Sequence, residues 1–498
     1  MSVIDELREQ RLEKIEALRK QGINPYPYTF NQTDFAEDII KSYSEQTKGR
    51  MVSVAGRLLS IRKMGKASFS HLRDKTGKIQ FYIRKDKLEE KDYQVFTLLD
   101  IGDIIGVTGE VFMTKTGEVT ILVKTLTLLS KIIRPLPIVK EKDEGNEKVV
   151  YDQFADKEMR YRQRYVDLMV NQEVKEVFIK RSRIISEMRT YLEQKGFLEV
   201  ETPVLQPLYG GAYARPFITH HNTLDIDLYL RIADELYLKR LIVGGFDGVF
   251  EISKDFRNEG MDLEHNPEFT MMELYVAYKD YFYMMDLVEE MIGYICDKVF
   301  KKSELSYNKI SLNFNKKWNR LSFFEAIKKY TGYDLYEKEE DQIAAVASQL
   351  NIDIEDLSGK GKLLDAIFGE YVEPKLMEPT FILDYPIELS PLAKKHRSKE
   401  GLTERFEGYV AGKELCNSFS ELNDPSDQRK RFTEQAKLKA EGDEEAMQID
   451  EDFLCSMEYA MPPTAGLGIG IDRLVMLLTD SQSIRDVIFF PQMRPKKE

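Results

Sequence analysis

The sequence predicts an α+β protein in which a small five-stranded β-barrel precedes a larger domain of mixed helices and strands. Three observations carry this. Five short strand-like runs lie between Val52 and Lys124, a stiff and then charged stretch follows Arg134, and two strand-like runs flank a long loop between Val249 and Tyr278. A chain of 498 residues can form two or three domains, each burying a core without metals or disulfides.

In chain order, residues 5–20 come first. Leu7, Leu12, Ile15 and Leu18 recur among alternating acids and bases, which predicts an amphipathic helix ended by Gly22 and the Pro25/Pro27 pair. Such a helix packs locally or touches a partner. The barrel runs are VSVAGRLL, ASFSHLR, KIQFYIR, DIIGVTGEVF and EVTILVK, several separated by turn signals such as Lys75-Thr76-Gly77 and Lys115-Thr116-Gly117. Residues 86–100 read as helical. Five strands with a helix between the third and fourth is the layout of an OB-fold β-barrel, the oligonucleotide-binding type. Ile79, Phe81 and Ile83 alternate with Gln80 and Tyr82, so one face of the third strand is core and the other is free to bind. Phe69, His71 and Arg73 share a face of the second strand, a combination suited to base stacking and edge reading.

The chain carries a net charge of −13, yet residues 50–90 hold eleven Lys or Arg against four Asp or Glu. A basic module on an acidic body is one footprint of a nucleic-acid binder; an ordinary solvated basic face has the same composition. Arg134-Pro135-Leu136-Pro137 and the charged run from Lys140 to Lys148 read as a linker. The expected divisions are an N-terminal helix region over 1–30, a barrel over 31–133, a linker over 134–156 and a large domain over 157–498, with a helical insertion around 331–380. Cys296, Cys416 and Cys455 are scattered without a CxxC pair, which fits a reducing compartment and suggests no structural zinc. The N-terminus lacks a signal-peptide apolar core. Residues 281–300 are apolar but carry Asp286, Glu289 and Glu290, so they read as a core helix rather than a membrane span.

The densest chemistry lies in Val249–Tyr278, where an antiparallel pair with a long connection is expected. Arg257 and Glu259 are two apart and are predicted to share one strand face, as are Phe269, Met271, Glu273 and Tyr275 on the other strand. An arginine fork suits a phosphate and a planar ring a purine; a salt-bridged hairpin with an aromatic core face would use the same residues. In Gly466-Leu467-Gly468-Ile469-Gly470, alternate glycines clear one strand face so that a ligand can lie against backbone. A helix beginning near Asp472 places Arg473 in its first turn. The spacing is GxGxG, so the dinucleotide fingerprint GxGxxG is not met.

With these residues in view, the chain resembles the class II aminoacyl-tRNA synthetases. Residues 196–203 (GFLEVETP) are similar to motif 1, residues 256–259 (FRNE) with 265–273 to motif 2, and residues 466–473 (GLGIGIDR) to motif 3. Residues 160–171, 214–225 and 231–240 resemble the lysine-specific branch, within the aspartyl, asparaginyl and lysyl subclass. The resemblance implies a catalytic domain built on an antiparallel β-sheet flanked by helices, and a homodimer formed through the motif 1 region around Pro203. It implies a cytoplasmic enzyme acting on ATP, L-lysine and the tRNA for lysine, with Mg2+ as cofactor and no membrane partner.

The same resemblance implies the site roles. Arg257 meets the α-phosphate and the substrate carboxylate, Arg473 the γ-phosphate, Phe269 the adenine face and Glu259 the adenine amino group. His265 and Asn266 lie near the phosphates. Glu407 and Glu414 are the magnesium carboxylates, hard oxygen ligands that in isolation could equally be surface ion pairs. Glu273, Tyr275 and Glu421 hold the ε-ammonium, Phe419 packs on the methylenes beside Asn417, and Glu235 with the Gly211 carbonyl meets the α-amino group. In the barrel, Arg62, Phe69, Gln80 and Glu118 match anticodon-reading positions, with a core aromatic as the other reading of Phe69. Glu414 and Asn417 are three apart, so both can face one site only if the strand is bulged or begins between them.

Three other readings share features with this one. A lysyl transferase acting on a translation factor lacks the barrel. An aspartyl or asparaginyl enzyme needs a cation where this chain has glutamates, and a non-catalytic scaffold has no need of Arg257, Arg473, Glu407 and Glu414 together. Lys63-Met64-Gly65-Lys66-Ala67-Ser68 superficially matches the KMSKS signature of class I synthetases but lies inside the small barrel without a HIGH-type partner.

Overall fold

Period-two patterning sets the N-terminal unit. In the computed structural model, which describes residues 3–137, 140–144, 147–151, 154–354, 357, 359–440, 442 and 445–495, the chain divides into units Met1–Asp156 and Lys157–Glu498. The first begins with helices α1 (Val3–Lys20) and α2 (Ala36–Ser42). Strands β1 (Met51–Met64), β2 (Ala67–Arg73) and β3 (Lys78–Arg84), helix α3 (Glu90–Thr97), and strands β4 (Ile104–Met113) and β5 (Val119–Ser130) follow. The strands close in the order β1-β2-β3-β5-β4, and a closed sheet leaves no free edge. Ile79, Phe81 and Ile83 point into the core with Leu72, Val107 and Ile121. Gly65 forms the tight β1–β2 turn at a φ of 60°, so the Lys63–Ser68 run is a hairpin.

One expectation for this unit is corrected and another is added to. The inward face of α1 is Arg11, Ile15 and Leu18, whereas Leu12 is 36% exposed. Asp100 explains the rotation, because it receives Lys14 at 2.6 Å and Lys131 at 2.5 Å and faces Arg11 at 4.0 Å. The stretch read as a charged linker contains an antiparallel hairpin, β6 (Lys140–Glu144) with β7 (Glu147–Tyr151). Residues 138, 139, 145, 146, 152 and 153 lie outside the described residues.

The second unit opens with α4 (Lys157–Arg162), α5 (Arg164–Val170) and α6 (Gln172–Gln194), then short strands β8 (Leu198–Glu199), β9 (Leu205–Gln206), β10 (Ile218–His221) and β11 (Ile226–Leu230). Helix α7 (Glu235–Val243), strands β12 (Gly248–Phe256) and β13 (Glu268–Ala277) and helix α8 (Tyr281–Ile295) come next. The middle of the unit holds β14 (Glu304–Tyr307), β15 (Ile310–Asn313), β16 (Asn319–Ser322), α9 (Phe323–Thr331), α10 (Glu340–Gln349), α11 (Lys360–Tyr371) and β17 (Thr380–Leu383). The last elements are β18 (Arg405–Val410), β19 (Lys413–Ser420), α12 (Pro425–Ala440), α13 (Glu451–Glu458), β20 (Thr464–Gly470), α14 (Ile471–Thr479) and α15 (Ile484–Val487).

Eight strands form one sheet in the order β16-β17-β18-β19-β20-β13-β12-β8, antiparallel except for the two edge pairs. Helices α6, α8 and α14 cover one face, where Met188, Leu192, Met285, Val288, Leu474 and Leu477 pack on Phe250, Met272, Leu274, Leu467 and Ile469. Because side chains alternate along a strand, burying Met272 and Leu274 on that face turns Met271, Glu273 and Tyr275 to the other. The apolar run at 281–300 is helix α8, capped by the Asp280 side chain, continued by a π-helical turn over Cys296–Phe300. Among the described residues no helix is long and apolar enough to cross a membrane. Helices α9, α10 and α11 form a satellite core with Ile382, Tyr385 and Tyr409.

Candidate active site and nucleic-acid face

The open face of the large sheet floors a cavity of about 1140 Å³. Gly211, Glu235, Arg257, Glu259, His265, Asn266, Phe269, Glu273, Tyr275, Glu407, Glu414, Asn417, Phe419, Glu421 and Arg473 all line it. The sequence expectation for Arg257 and Glu259 needs one correction: β12 ends at Phe256, and both residues stand in the connecting loop. Pairing continues only as far as the Arg257 N–H, which donates to the Pro267 carbonyl at 2.9 Å. Glu414 and Asn417 share the cavity because β18 and β19 shift register between Gly408 and Tyr409, opposing Gly408 to Cys416 and Tyr409 to Glu414. Leu415 is the extra residue of the bulge.

The β20 glycines are bare floor. A β-carbon on Gly466 would collide with the Glu421 carboxylate and the Tyr275 ring, whereas one on Gly468 would meet only Met271 Cε at 3.3 Å and Glu273 Cγ at 3.9 Å. At one end of this floor, Tyr275 donates to Glu273 at 3.1 Å, and Glu421 packs against the buried helix α7. Burial raises Glu235 and Glu273 above the ordinary carboxylate range and pushes Glu421 up to about 8, with Lys239 pulling Glu421 the other way.

At the other end, Arg473 Nη1 lies 2.9 Å from the Glu414 carbonyl and 3.1 Å from its carboxylate, and Nη2 is 3.1 Å from the His265 ring. Asp472 fixes the start of α14 by accepting from the Thr270 N–H at 2.7 Å and pairing with Arg181 at 2.6 Å. The Arg257 guanidinium stands 5.1 Å from the Phe269 ring centroid. Glu407 is held by Arg405 at 2.5 Å and by the hydroxyls of Tyr385 and Tyr409 at 2.7 and 2.6 Å. Burial and the neighbouring Glu407 raise Glu414, and burial with Glu414 pushes Glu373 to about 7. Glu407 and Glu414 thus set two carboxylates side by side in the cavity wall, hard oxygens of the kind a magnesium ion fits.

A family model described as tRNA synthetases class II (D, K and N) matches residues 156–494. The chain belongs to the class II tRNA synthetases. The barrel of this synthetase is matched by a model described as an OB-fold nucleic acid binding domain, over residues 52–129. A relative from Christiangramia forsetii, named lysine–tRNA ligase, is 53% identical over 504 residues, covering 100% of this chain and 88% of the relative.

On the synthetase barrel, strand register brings the four expected residues to one outer face. Arg62 pairs with Phe69 and Phe69 with Tyr82, while His71 pairs with Gln80 and Gln80 with Thr120. Phe69 and Tyr82 stack at 4.5 Å with an interplanar angle of 26°. Glu118 receives Gln80 at 2.7 Å and faces His71 at 3.0 Å. The Phe69 ring is therefore on the free face, not in the barrel core.

Sequence reading missed one residue of the synthetase cavity and a buried charged cluster that adjoins its wall at Glu273. Arg405 lies in the cavity wall, 3.2 Å from Asn417 and 5.5 Å from the Phe419 ring centroid; its signal was the two-residue spacing to Glu407. Arg231 pairs with Asp234 at 3.0 Å, Glu251 at 2.7 Å and Asp255 at 3.5 Å. Asp234 and Asp255 stand with Glu273 in a buried cluster whose ligand oxygens lie within 4.8 Å of one another. No local pattern announces it, since the residues come from three elements.

Proposed function

We propose that this chain is a lysine–tRNA ligase, which activates L-lysine with ATP and transfers the lysyl group to the 3′ end of its tRNA. The observation that carries the choice of amino acid is the acidic end of the cavity, where Glu235, Glu273 and Glu421 line one wall with Tyr275. Glu421 Oε1 is buried with no hydrogen-bond donor among the described residues. A buried charge is tolerated only when paired, so this oxygen suits a ligand ammonium. The full-length relative named lysine–tRNA ligase supports the same substrate.

In the first step a lysine carboxylate oxygen attacks the α-phosphorus of ATP, and the bond from that phosphorus to the bridging oxygen breaks to release pyrophosphate. In the second, the terminal ribose hydroxyl of tRNA attacks the lysyl carbonyl carbon, losing its proton as AMP departs. Neither step needs a protein nucleophile, so alignment and fixed cations supply the catalysis. Arg257 would bridge the substrate carboxylate and the α-phosphate, and Arg473 would hold the γ-phosphate beside His265 and Asn266. Phe269 would carry the adenine, with Glu259 accepting from its amino group. Glu273, Tyr275 and Glu421 would hold the ε-ammonium, Phe419 would pack on the methylenes beside Asn417, and Glu235 with the Gly211 carbonyl would take the α-ammonium. Glu407 and Glu414 would hold Mg2+, whose charge neutralises the leaving pyrophosphate.

On the barrel, Phe69 would stack an anticodon base while Arg62, Gln80 and Glu118 read edges and backbone. Dimerisation through the segment around Pro203 is supported by Leu198, Val204, Leu205, Ile218, Leu224 and Ile226, which are 39–64% exposed, a density of apolar surface expected of an interface. The cytoplasm is the compartment we assign, from the substrates and from three unpaired cysteines.

The test is ATP–pyrophosphate exchange with each of the twenty amino acids, on the wild type and on Glu421→Ala. Lysine-dependent exchange that collapses in the variant is expected. Exchange with aspartate or asparagine would overturn the pocket assignment, and none from folded, magnesium-supplied protein would sink the activity itself.

A further inference from the structure

The acidic end of the cavity holds one carboxyl group more than its proposed ligand has ammonium groups. Glu235, Glu273 and Glu421 bring three carboxylates, while lysine brings two ammonium groups. The imbalance is removed by Lys239, which lies one helical turn after Glu235 on α7 and is 0% exposed. Its Nζ stands 2.5 Å from Glu235 Oε1 and 2.5 Å from Glu421 Oε2, and 5.9 Å from the Tyr275 ring centroid. One oxygen of Glu421 is thus tied to a protein ammonium, while Oε1 has no donor.

We infer that Lys239 is a specificity-determining positioning residue: its ammonium takes the third negative charge and clamps Glu235 and Glu421 so that the site matches a diammonium ligand. This rests on the lysine reading above. The groups around it support the count. Burial works against the Lys239 charge, but Glu235 and Glu421 more than offset it and raise its pKa. Arg405 faces Glu235 from β18, and it is already held by Glu407. Glu273 faces Asp234, Asp255 and then Glu235. Without Lys239, the two buried carboxyl groups would lose the cation they share, and both would be driven further towards the protonated form, which cannot pair with a substrate ammonium.

The experiment is a double-mutant cycle on the full chain, Lys239→Met and Glu421→Gln, read as KM for lysine and for ATP in pyrophosphate exchange at about pH 7 and about pH 8.5. Lys239→Met is expected to raise the lysine KM roughly tenfold or more at both pH values, because loss of the ammonium drives Glu421 further above about 8 and keeps it protonated at the higher pH, with the ATP KM changed less than about twofold. The double variant is expected to bind lysine no worse than Glu421→Gln alone. An unchanged lysine KM, or lysine and ATP KM rising together, overturns the inference. Should Lys239→Met not fold, the charge-balanced double variant decides: a further tenfold rise over Glu421→Gln would overturn the shared role, and parity would uphold it. Wild type that exchanges without lysine would instead sink the lysine reading.

Discussion

The Glu421 carboxylate occupies the space directly over Gly466, so that the missing side chain of one residue is filled by the end of another forty-five positions earlier. That relationship separates two glycines that look equivalent in sequence. Gly466→Ala must displace Glu421 and the Tyr275 ring, and a shift near 1 Å at a reacting site can cost about a hundredfold. Gly468→Ala meets only the flexible end of Met271 at first approach. We expect Gly466→Ala to lower kcat/KM for lysine about a hundredfold and Gly468→Ala less than about tenfold. Equal losses in pyrophosphate exchange would count against the proposed floor.

Arg405 is the only cation placed by a described contact on Glu407. Replacing it with Met leaves a mostly buried carboxylate with two tyrosine hydroxyls and no countercharge. The expected destabilisation is about 3–5 kcal/mol, read from urea unfolding. A loss below about 1 kcal/mol would mean that solvent already screens the pair.

Asp234 is pushed up to about 8 by burial and then by Asp255 and Glu251, and Asp255 to about 6 by burial. A raised native pKa means that the folded chain holds protons the unfolded chain has released. Stability from these groups is therefore full below the ordinary aspartate range and lost as pH rises through about 6 and then about 8. Urea midpoints at pH 6, 7 and 8 should fall in that order. Asp234→Asn should flatten the upper part of the slope; an unchanged slope would place the proton elsewhere.

The barrel prediction concerns tRNA alone. Stacking of a base on an aromatic is worth about 1–3 kcal/mol, so Phe69→Ala should raise the KM for tRNA by roughly fivefold to a hundredfold while leaving pyrophosphate exchange intact. Tyr82→Ala, which removes the ring stacked beneath it, should give a smaller loss of the same kind. A defect in amino-acid activation would show that the rings are structural.

How much of this could be read in the sequence varies with distance along the chain. The barrel strands and the face carrying Phe69, Gln80 and Tyr82 follow from two-residue alternation, which needs no tertiary information. Arg257 and Glu259 were placed on a strand because their spacing fits one, but Pro267 opposite ends the ladder and moves both into a loop. Glu414 and Asn417 could not be reconciled by parity alone; the bulge at Leu415 depends on Gly408, where a β-carbon would strike Cys416 and Trp318. Leu12 failed because Asp100, far along the chain, turns α1. Lys239 is half legible, since its pairing with Glu235 is an ordinary helical spacing, but Glu421 enters from 182 positions later.

The sheet order has a consequence for biosynthesis. Strand β20 is the last strand among the described residues, yet it lies between β19 and β13 in the middle of the sheet, and the floor glycines and Arg473 come with it. On the ribosome, the barrel can close while translation is still under way, since domains form as units as they emerge. The large sheet must wait with its central slot open until Gly470 has left the ribosome. A nascent chain arrested before Thr464 would therefore own an anticodon-reading module and no adenylating centre, and would compete for tRNA without charging it.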